Sequence, residues 1–160
     1  MAVHESLKMI EAEAHVAPET RLRSLLCIDD NPGNLKLVGL FMLHRPDIRL
    51  LTAVNGKSGL EIAWVSRPEV IVTDINLPDM SGFKVLESLR ADPATTRIPV
   101  IALTANSLPL NVESGLESGF FRYLTKPIQF KEFLATLDLA LAHAEKNSTK
   151  DQLQKRVGQQ

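Results

Sequence analysis

The sequence predicts a doubly wound α/β fold, in which helices cover both faces of one five-stranded parallel sheet. Five short runs are apolar at nearly every residue, which is typical of strands buried on both faces. Runs with helical spacing separate these strands, and such alternation favours parallel pairing with a helix on each connection. We therefore expect five helices around the sheet. The predicted strands cover residues 25–28, 50–54, 70–73, 98–103 and 120–124.

The first predicted helix begins directly after the first strand. Asn31 is a suitable N-cap, Pro32 fits the first helical position, and Pro46 lies just beyond the end. The apolar residues at helical spacing are Leu35, Val38 and Met42.

The second and third predicted helices cover the sheet between strands two and four. The second follows the turn at Asn55 and stops before Pro68, and the third ends near Asp92. The residues expected to face the sheet are Leu60, Ala63 and Trp64 in the second helix, and Phe83, Leu86 and Leu89 in the third.

The fourth and fifth predicted helices differ in strength. Pro109, Gly115 and Gly119 interrupt residues 108–120, so we expect the fourth helix to be short or mobile. The fifth has one continuous apolar face, which consists of Phe130, Phe133, Leu134, Leu137 and Leu141. Gln129 is a poor cap for its start.

The predicted organisation is one domain with two polar ends. Residues 1–22 are expected to form a linker or short helix, residues 23–145 the domain, and residues 146–160 a disordered polar tail. The chain has 160 residues, of which 44% are hydrophobic, and this is enough for one core of ordinary size.

Charge and composition exclude several function classes. The formal net charge of -1 provides no basic field, so direct nucleic-acid binding is not expected. The single cysteine, Cys27, rules out an intrachain disulfide and suits a reducing compartment. The apolar stretch 37–43 is too short to span a membrane, and no signal-peptide core is present. We therefore expect a cytoplasmic protein or segment.

Polar residues follow the predicted strands where each strand ends. They are Asp29 and Asp30, then Asp74, Thr104 and Lys126. A parallel sheet would bring them together at its carboxyl edge. Two carboxylates about 4 Å apart repel each other by roughly 4 kcal/mol at an effective dielectric constant near 20, so the cluster requires a cation. Oxygen ligands without His or Cys favour Mg²⁺.

The same residues suit phosphoryl transfer. Asp74 can act as a carboxylate nucleophile, Lys126 can neutralise the transferring oxygens, and Thr104 can donate a hydrogen bond to them. The resulting mixed anhydride hydrolyses readily, so the modification would be temporary. This chemistry suits signalling better than the turnover of a metabolite.

Four segments of the chain resemble the motifs of response-regulator receiver domains in two-component systems. These segments are CIDDN at 27–31, VTDINLPDMSG at 72–82, ALTA at 102–105 and YLTKPI at 123–128, and the resemblance covers residues 22 to 145. It implies a flavodoxin-like sheet with strand order 2-1-3-4-5. It also implies a cis peptide bond between Lys126 and Pro127.

The resemblance also assigns roles to individual residues. Asp74 is expected to be the phosphoacceptor, with Thr104 and Lys126 contacting the phosphoryl group. Asp30, Asp74 and the backbone carbonyl of Asn76 are expected to bind Mg²⁺, or Mn²⁺ as an alternative, while Asp29 supports the ion through water. Tyr123 is expected to be the switch aromatic, which moves inward when the Thr104 hydroxyl is drawn toward the phosphoryl group.

The resemblance further predicts the partners. The phosphodonor is expected to be a histidine kinase or a histidine phosphotransfer protein, and the fourth helix, fifth strand and fifth helix could form a homodimer face. Residues 120–123 read Phe-Phe-Arg-Tyr, which resembles receivers at the C-terminus of hybrid sensor histidine kinases. The domain is not expected to be an enzyme beyond assisting its own phosphorylation and dephosphorylation.

Two alternatives compete with this interpretation. A phosphatase of the haloacid dehalogenase type also uses Asp, Thr, Lys and magnesium, but it requires Asp-x-Asp after its first strand, and residues 74–76 read Asp-Ile-Asn. The other alternative is an interaction module with a receiver fold that is no longer phosphorylated. The intact acidic cluster argues against this second alternative.

Overall fold

A computed structural model describes residues 22–105 and 119–158. It contains a five-stranded sheet in which every pairing is parallel and the strand order is β2-β1-β3-β4-β5. The predicted fold class and strand order are therefore confirmed. The strands are β1 (Arg23–Ile28), β2 (Ile48–Ala53), β3 (Val70–Asp74), β4 (Val100–Thr104) and β5 (Arg122–Thr125).

The described residues contain four helices, which are α1 (Pro32–Met42), α2 (Gly56–Ser66), α3 (Gly82–Ala91) and α4 (Phe130–Val157). The fourth helix is predicted over residues 108–120, of which 108–118 lie outside the described residues. The N-terminal linker is predicted over residues 1–22, of which 1–21 lie outside them. None of the helices in the described parts is long and apolar enough to cross a membrane.

Local sequence determines where these helices begin. The Asn31 side chain accepts the N–H of Gly33 at the start of α1, as predicted, and Asn55 does the same for Ser58 in α2. These bonds satisfy N–H groups that have no partner within the helix. Gln129 makes no such bond at the start of α4.

Apolar side chains of each strand alternate between the two faces of the sheet. Leu25 and Cys27 pack with α1 and α4 on one face, whereas Leu26 and Ile28 pack with α2 and α3 on the other. Complete burial of a leucine-sized side chain contributes about 1.5–3 kcal/mol, so both layers stabilise the sheet edge that carries the polar residues. Trp64 was predicted to face the sheet, but its side chain remains 42% exposed.

The prediction of a disordered tail is wrong for residues 146–157, because α4 continues without interruption to Val157. Lys150, Gln152 and Gln154 have good helix propensity, and Lys155 and Arg156 complement the helix dipole at its end. Asp151 also forms an ion pair with Arg97, which lies between α3 and β4. The extension is therefore anchored to the end of the sheet opposite the acidic residues.

Candidate functional site

The predicted site residues meet at the carboxyl edge of the sheet. Asp29 directly follows β1, Asp74 ends β3, Thr104 ends β4, and Lys126 directly follows β5. Carboxylate oxygens of Asp29, Asp30 and Asp74 lie within 4.8 Å of one another. The structure therefore brings together the three carboxylates that the sequence places at separate strand ends.

Asp29 is fully buried, and each of its carboxylate oxygens accepts a hydrogen bond. Its Oδ1 accepts the backbone N–H of Asn31 at 2.9 Å, and its Oδ2 accepts the side-chain amide of Asn34 at 3.0 Å. Asp30 is exposed, and within the described residues it has no hydrogen-bond or ion-pair partner. Asp30 therefore lies at the surface, whereas two hydrogen bonds fix the carboxylate of Asp29.

Asp74 has a different contact on each oxygen. Its Oδ1 accepts the backbone N–H of Asn76 at 3.0 Å, and its Oδ2 accepts a hydrogen bond from Lys126 Nζ at 2.6 Å. The residue is only 4% exposed, so these contacts lie in a poorly solvated environment where charge interactions are strong. The carboxylate is thus oriented by two donors that come from different elements.

Lys126 provides the positive charge of the site. Its Nζ lies 3.3 Å from Asp29 Oδ2 as well as against Asp74. Burial of the ammonium opposes its charge, but the hydrogen bond to Asp74 and the charge of Asp29 outweigh burial and raise the pKa of Lys126. The backbone N–H of Lys126 donates to the carbonyl of Thr104 at 2.7 Å, and the Lys126–Pro127 bond is cis, as predicted.

The two predicted switch residues lie on neighbouring strands. Thr104 is 4% exposed at the end of β4, and Tyr123 on β5 pairs with Ala102 and is partly buried against the layer that contains α2 and α3. Phe120 is buried in this layer with its ring 5.5 Å from Phe83.

The loop 75–81 carries Asn76, and its position depends on close backbone contacts. Asn76 and Ser81 form an isolated antiparallel bridge, and the N–H of Gly82 donates to the carbonyl of Ile75 at 2.7 Å. A Cβ on Gly82 would lie 2.6 Å from the carbonyl oxygen of Asp74, so only glycine permits this approach. The loop therefore closes directly onto the backbone of Asp74.

Sequence reasoning missed two residues that support the site. Asn34 donates to Asp29, and Asp79 accepts the N–H groups of Gly56 and Lys57 at the start of α2. A signal for Asn34 exists, because it lies in the first turn of the helix that follows the acidic pair. The sequence offers no comparable signal for Asp79, since its partners are more than twenty positions away.

Cys27 lies directly below the acidic cluster but does not share its chemistry. Burial, with a smaller contribution from the charge of Asp29, raises the pKa of the thiol to about 12. The thiol therefore stays protonated at neutral pH and packs as a small apolar side chain.

The donor set fits a hard divalent cation. The three side chains that could bind a metal are all carboxylates, and no His or Cys joins this group in the described residues. Mg²⁺ prefers a small number of carboxylates together with phosphate oxygens and water. The cluster also includes a buried carboxylate in contact with an ammonium, which is an arrangement suited to phosphoryl transfer.

Comparison with known proteins agrees with the fold. Residues 25–138 match the family model of the response regulator receiver domain. The chain is 36% identical over 126 residues to the transcriptional regulatory protein AfsQ1 of Streptomyces coelicolor, in a match that covers 79% of this chain and 54% of AfsQ1. It is 34% identical to the protein PilH of Pseudomonas aeruginosa, with coverage of 74% of this chain and 97% of PilH.

The fold is also similar to that of a solved receiver domain. The receiver domain of the sensor histidine kinase PA1611 from Pseudomonas aeruginosa, whose crystal structure has a magnesium ion coordinated in the active site cleft, superposes with a TM-score of 0.69. The two sequences are 28% identical, and the match covers 76% of this chain and 98% of that one.

The fold and the carboxylates of Asp29, Asp30 and Asp74 at the carboxyl edge of the sheet define a phosphoacceptor module of two-component signalling. This chain belongs to the response regulator receiver domain family. It spans about half the length of AfsQ1 and nearly all of PilH.

Proposed function

We propose that this chain accepts a phosphoryl group on Asp74 from a phosphohistidine and transmits the change to its output face in a phosphorelay. The proposal depends mainly on the environment of Asp74. Its buried carboxylate lies 2.6 Å from the ammonium of Lys126 and belongs to the cluster with Asp29 and Asp30. The proposed nucleophile, the ammonium that would neutralise the phosphoryl oxygens and the carboxylates that could bind a metal ion therefore lie together.

We assign the cation site to Asp30, Asp74 and the backbone carbonyl of Asn76, with Asp29 acting through water. Mg²⁺ is the proposed ion, and Mn²⁺ is the alternative because it also accepts oxygen ligands. When bound, the ion would supply positive charge for the oxygens of the incoming phosphoryl group. The exposed Asp30 is suited to direct ligation, whereas the oxygens of Asp29 already accept protein hydrogen bonds.

The transfer step follows from these roles. An oxygen of the Asp74 carboxylate attacks phosphorus as the bond between phosphorus and the donor imidazole nitrogen breaks. The bonding electron pair stays on that nitrogen, which takes a proton from solvent. Lys126 balances the charge on the transferring oxygens, and Thr104 donates a hydrogen bond to one of them. Water later hydrolyses the acyl phosphate, which restores the carboxylate and releases inorganic phosphate.

The output involves Thr104, Tyr123 and the surface of β5 and α4. The predicted fourth helix, which is expected to belong to the same face, lies largely outside the described residues. When Thr104 is drawn toward the phosphoryl group, the space behind it admits the ring of Tyr123. Phe121, which precedes β5, contributes to this surface, because its ring lies 5.2 Å from the ring of His143 and 4.9 Å from the guanidinium of Arg122. We propose this surface as the face for an output partner or a second copy.

The donor is proposed to be a histidine kinase or a histidine phosphotransfer protein. The similarity to a receiver from a sensor histidine kinase supports a hybrid kinase as the parent protein. In this role the domain catalyses only its own phosphorylation and dephosphorylation. It acts in the cytoplasm, where ATP phosphorylates the kinase, and this segment contacts no membrane. The net charge of -1 favours a protein output over direct nucleic-acid binding.

Chemical phosphorylation tests the proposal directly. The protein is incubated with acetyl phosphate and Mg²⁺, and its intact mass is measured. We expect the mass of one added phosphoryl group in the parent protein, none in Asp74→Asn, and normal addition in Asp92→Asn, which alters a partly buried carboxylate at the far end of α3. Absence of labelling in the parent protein, or equal labelling in Asp74→Asn, would contradict the proposal.

A further inference from the structure

The carboxylate of Asp79 lies across the N-terminus of helix α2. One oxygen accepts the N–H of Gly56 and the other accepts the N–H of Lys57, each at 2.9 Å. N–H groups in the first turn of a helix have no partner within the helix, so a carboxylate there satisfies two donors and interacts favourably with the helix dipole. These bonds lower the pKa of Asp79, so the group is charged at neutral pH.

A second contact holds the same part of the loop 75–81 against α2. The side chain of Met80 packs on Gly56 so closely that a Cβ at Gly56 would lie 2.4 Å from Met80 Cγ. At its base, the loop is closed by the bridge between Asn76 and Ser81. The loop is therefore fixed at both its base and its tip.

The fixed loop carries a group that the proposed site needs. Asn76 donates its N–H to Asp74 Oδ1, and its carbonyl is the proposed ligand of the cation. A carbonyl on a free loop would have to be ordered when the ion binds, and the lost conformational entropy would weaken binding. Contacts that order the loop in advance should therefore increase affinity for the ion.

We infer that Asp79 is a positioning residue, which preorganises the loop 75–81 for cation and phosphoryl binding by tying it to the N-terminus of α2. This inference rests on the proposed function, because it assumes that Asn76 serves the cation site. It adds a residue that touches neither the ion nor the phosphoryl group. It also makes the position of α2 a determinant of affinity at the site.

Three variants separate this role from a general effect on stability. Asp79→Ala removes both hydrogen bonds, and Asp79→Asn keeps an oxygen that can accept one of them. Asp92→Ala is the matched control, because the carboxylate of Asp92 also accepts a loop N–H, that of Ala94, but lies at the far end of α3. Thermal melting confirms that each variant is folded.

Three measurements on the full chain test the inference. Titration with MgCl₂ followed by NMR gives the dissociation constant, and amide hydrogen exchange of the metal-free protein gives the protection of residues 56, 57 and 76. Initial rates of labelling by acetyl phosphate are measured over a range of Mg²⁺ concentrations. For Asp79→Ala we expect a dissociation constant about fivefold to tenfold higher, faster exchange, and a rate at saturating Mg²⁺ within about twofold of the parent protein.

Asp79→Asn should give intermediate values, and Asp92→Ala should match the parent protein in all three measurements. Equal Mg²⁺ affinity in Asp79→Ala and Asp92→Ala, with the parent protein still labelled on Asp74, would overturn the inference and leave the proposed function intact. A parent protein that neither binds Mg²⁺ nor accepts phosphoryl would overturn both. If only the rate at saturating Mg²⁺ fell, the positioning role would also be wrong.

Discussion

Lys126 Nζ lies 2.6 Å from Asp74 Oδ2, although Asp74 is the last residue of β3 and Lys126 directly follows β5. The same ammonium lies 3.3 Å from Asp29, so one positive charge partly neutralises two buried carboxylates. This contact holds the carboxylates of Asp29 and Asp74 close together. It also places the ammonium where a phosphoryl group on Asp74 would have to be neutralised.

Replacing Lys126 should separate cation binding from signal output. Lys126→Ala removes a positive charge that competes for the carboxylates, so we expect Mg²⁺ affinity that is unchanged or higher. Without the ammonium, the phosphoryl group lacks one of its anchors, so labelling should be slower and Tyr123 should no longer respond. Tyr123 is the single tyrosine of the chain, so its ¹³C-labelled ring gives an unambiguous NMR signal before and after addition of beryllofluoride.

Lys131→Ala is the control for this experiment, since it removes an exposed lysine from the first turn of α4. A normal Tyr123 response in Lys126→Ala would show that the role assigned to the lysine is wrong.

Mg²⁺ should stabilise the folded chain, and Asp30 should be required for this effect. A ligand that binds only the folded state at 100 times its dissociation constant adds about 2.7 kcal/mol to the free energy of unfolding. We expect an increase of this kind for the parent protein in urea titrations, and a much smaller one for Asp30→Asn. Because Asp30 is exposed, the substitution should leave stability in EDTA unchanged or slightly higher.

Glu87→Gln provides the comparison for Asp30, because Glu87 is an exposed acid outside the cluster. Equal stabilisation of Asp30→Asn and the parent protein by Mg²⁺ would remove Asp30 from the cation site.

Much of this arrangement can be predicted from sequence, for a physical reason. Buried parallel strands are apolar at nearly every position, so a polar residue such as Asp74 or Lys126 at a strand end is conspicuous. Parallel pairing then brings all such ends to one edge without any knowledge of side-chain contacts. The strand order itself came from the resemblance to receiver domains.

Other features depend on contacts that local sequence does not encode. The contacts of Asp79 with α2 join positions more than twenty residues apart, and they are made to backbone N–H groups, which leave no trace in the side-chain pattern. The end of α4 has no periodic apolar face, and its ion pair between Asp151 and Arg97 joins distant parts of the chain. Polar composition alone therefore predicted disorder where tertiary contacts support a helix.

Two glycine-to-alanine substitutions should have opposite effects on stability. In Gly82→Ala the new Cβ would lie 2.6 Å from the carbonyl oxygen of Asp74, which cannot move without displacing the site, so we expect a loss of about 1–3 kcal/mol. Gly39 lies inside α1, and a Cβ there meets nothing within 4 Å, so Gly39→Ala should add about 0.5–1 kcal/mol. Urea unfolding measures both, and a stable Gly82→Ala with normal labelling of Asp74 would disprove the close approach.

Asp79 should stabilise the protein only while its carboxyl is ionised. The N–H groups of Gly56 and Lys57 hold its pKa below the ordinary value, so its contribution is fully present above an unfolded-state pKa near 3.9 and is lost as pH falls through the lower folded-state pKa. We expect the difference in unfolding free energy between the parent protein and Asp79→Asn to be constant from about pH 6 to pH 5, and to shrink toward about pH 2.5. Taking the difference between two variants removes the titration of the other acids, which both proteins share. A difference that persists undiminished at the acid end would mean that Asp79 does not act through its charged hydrogen bonds to α2.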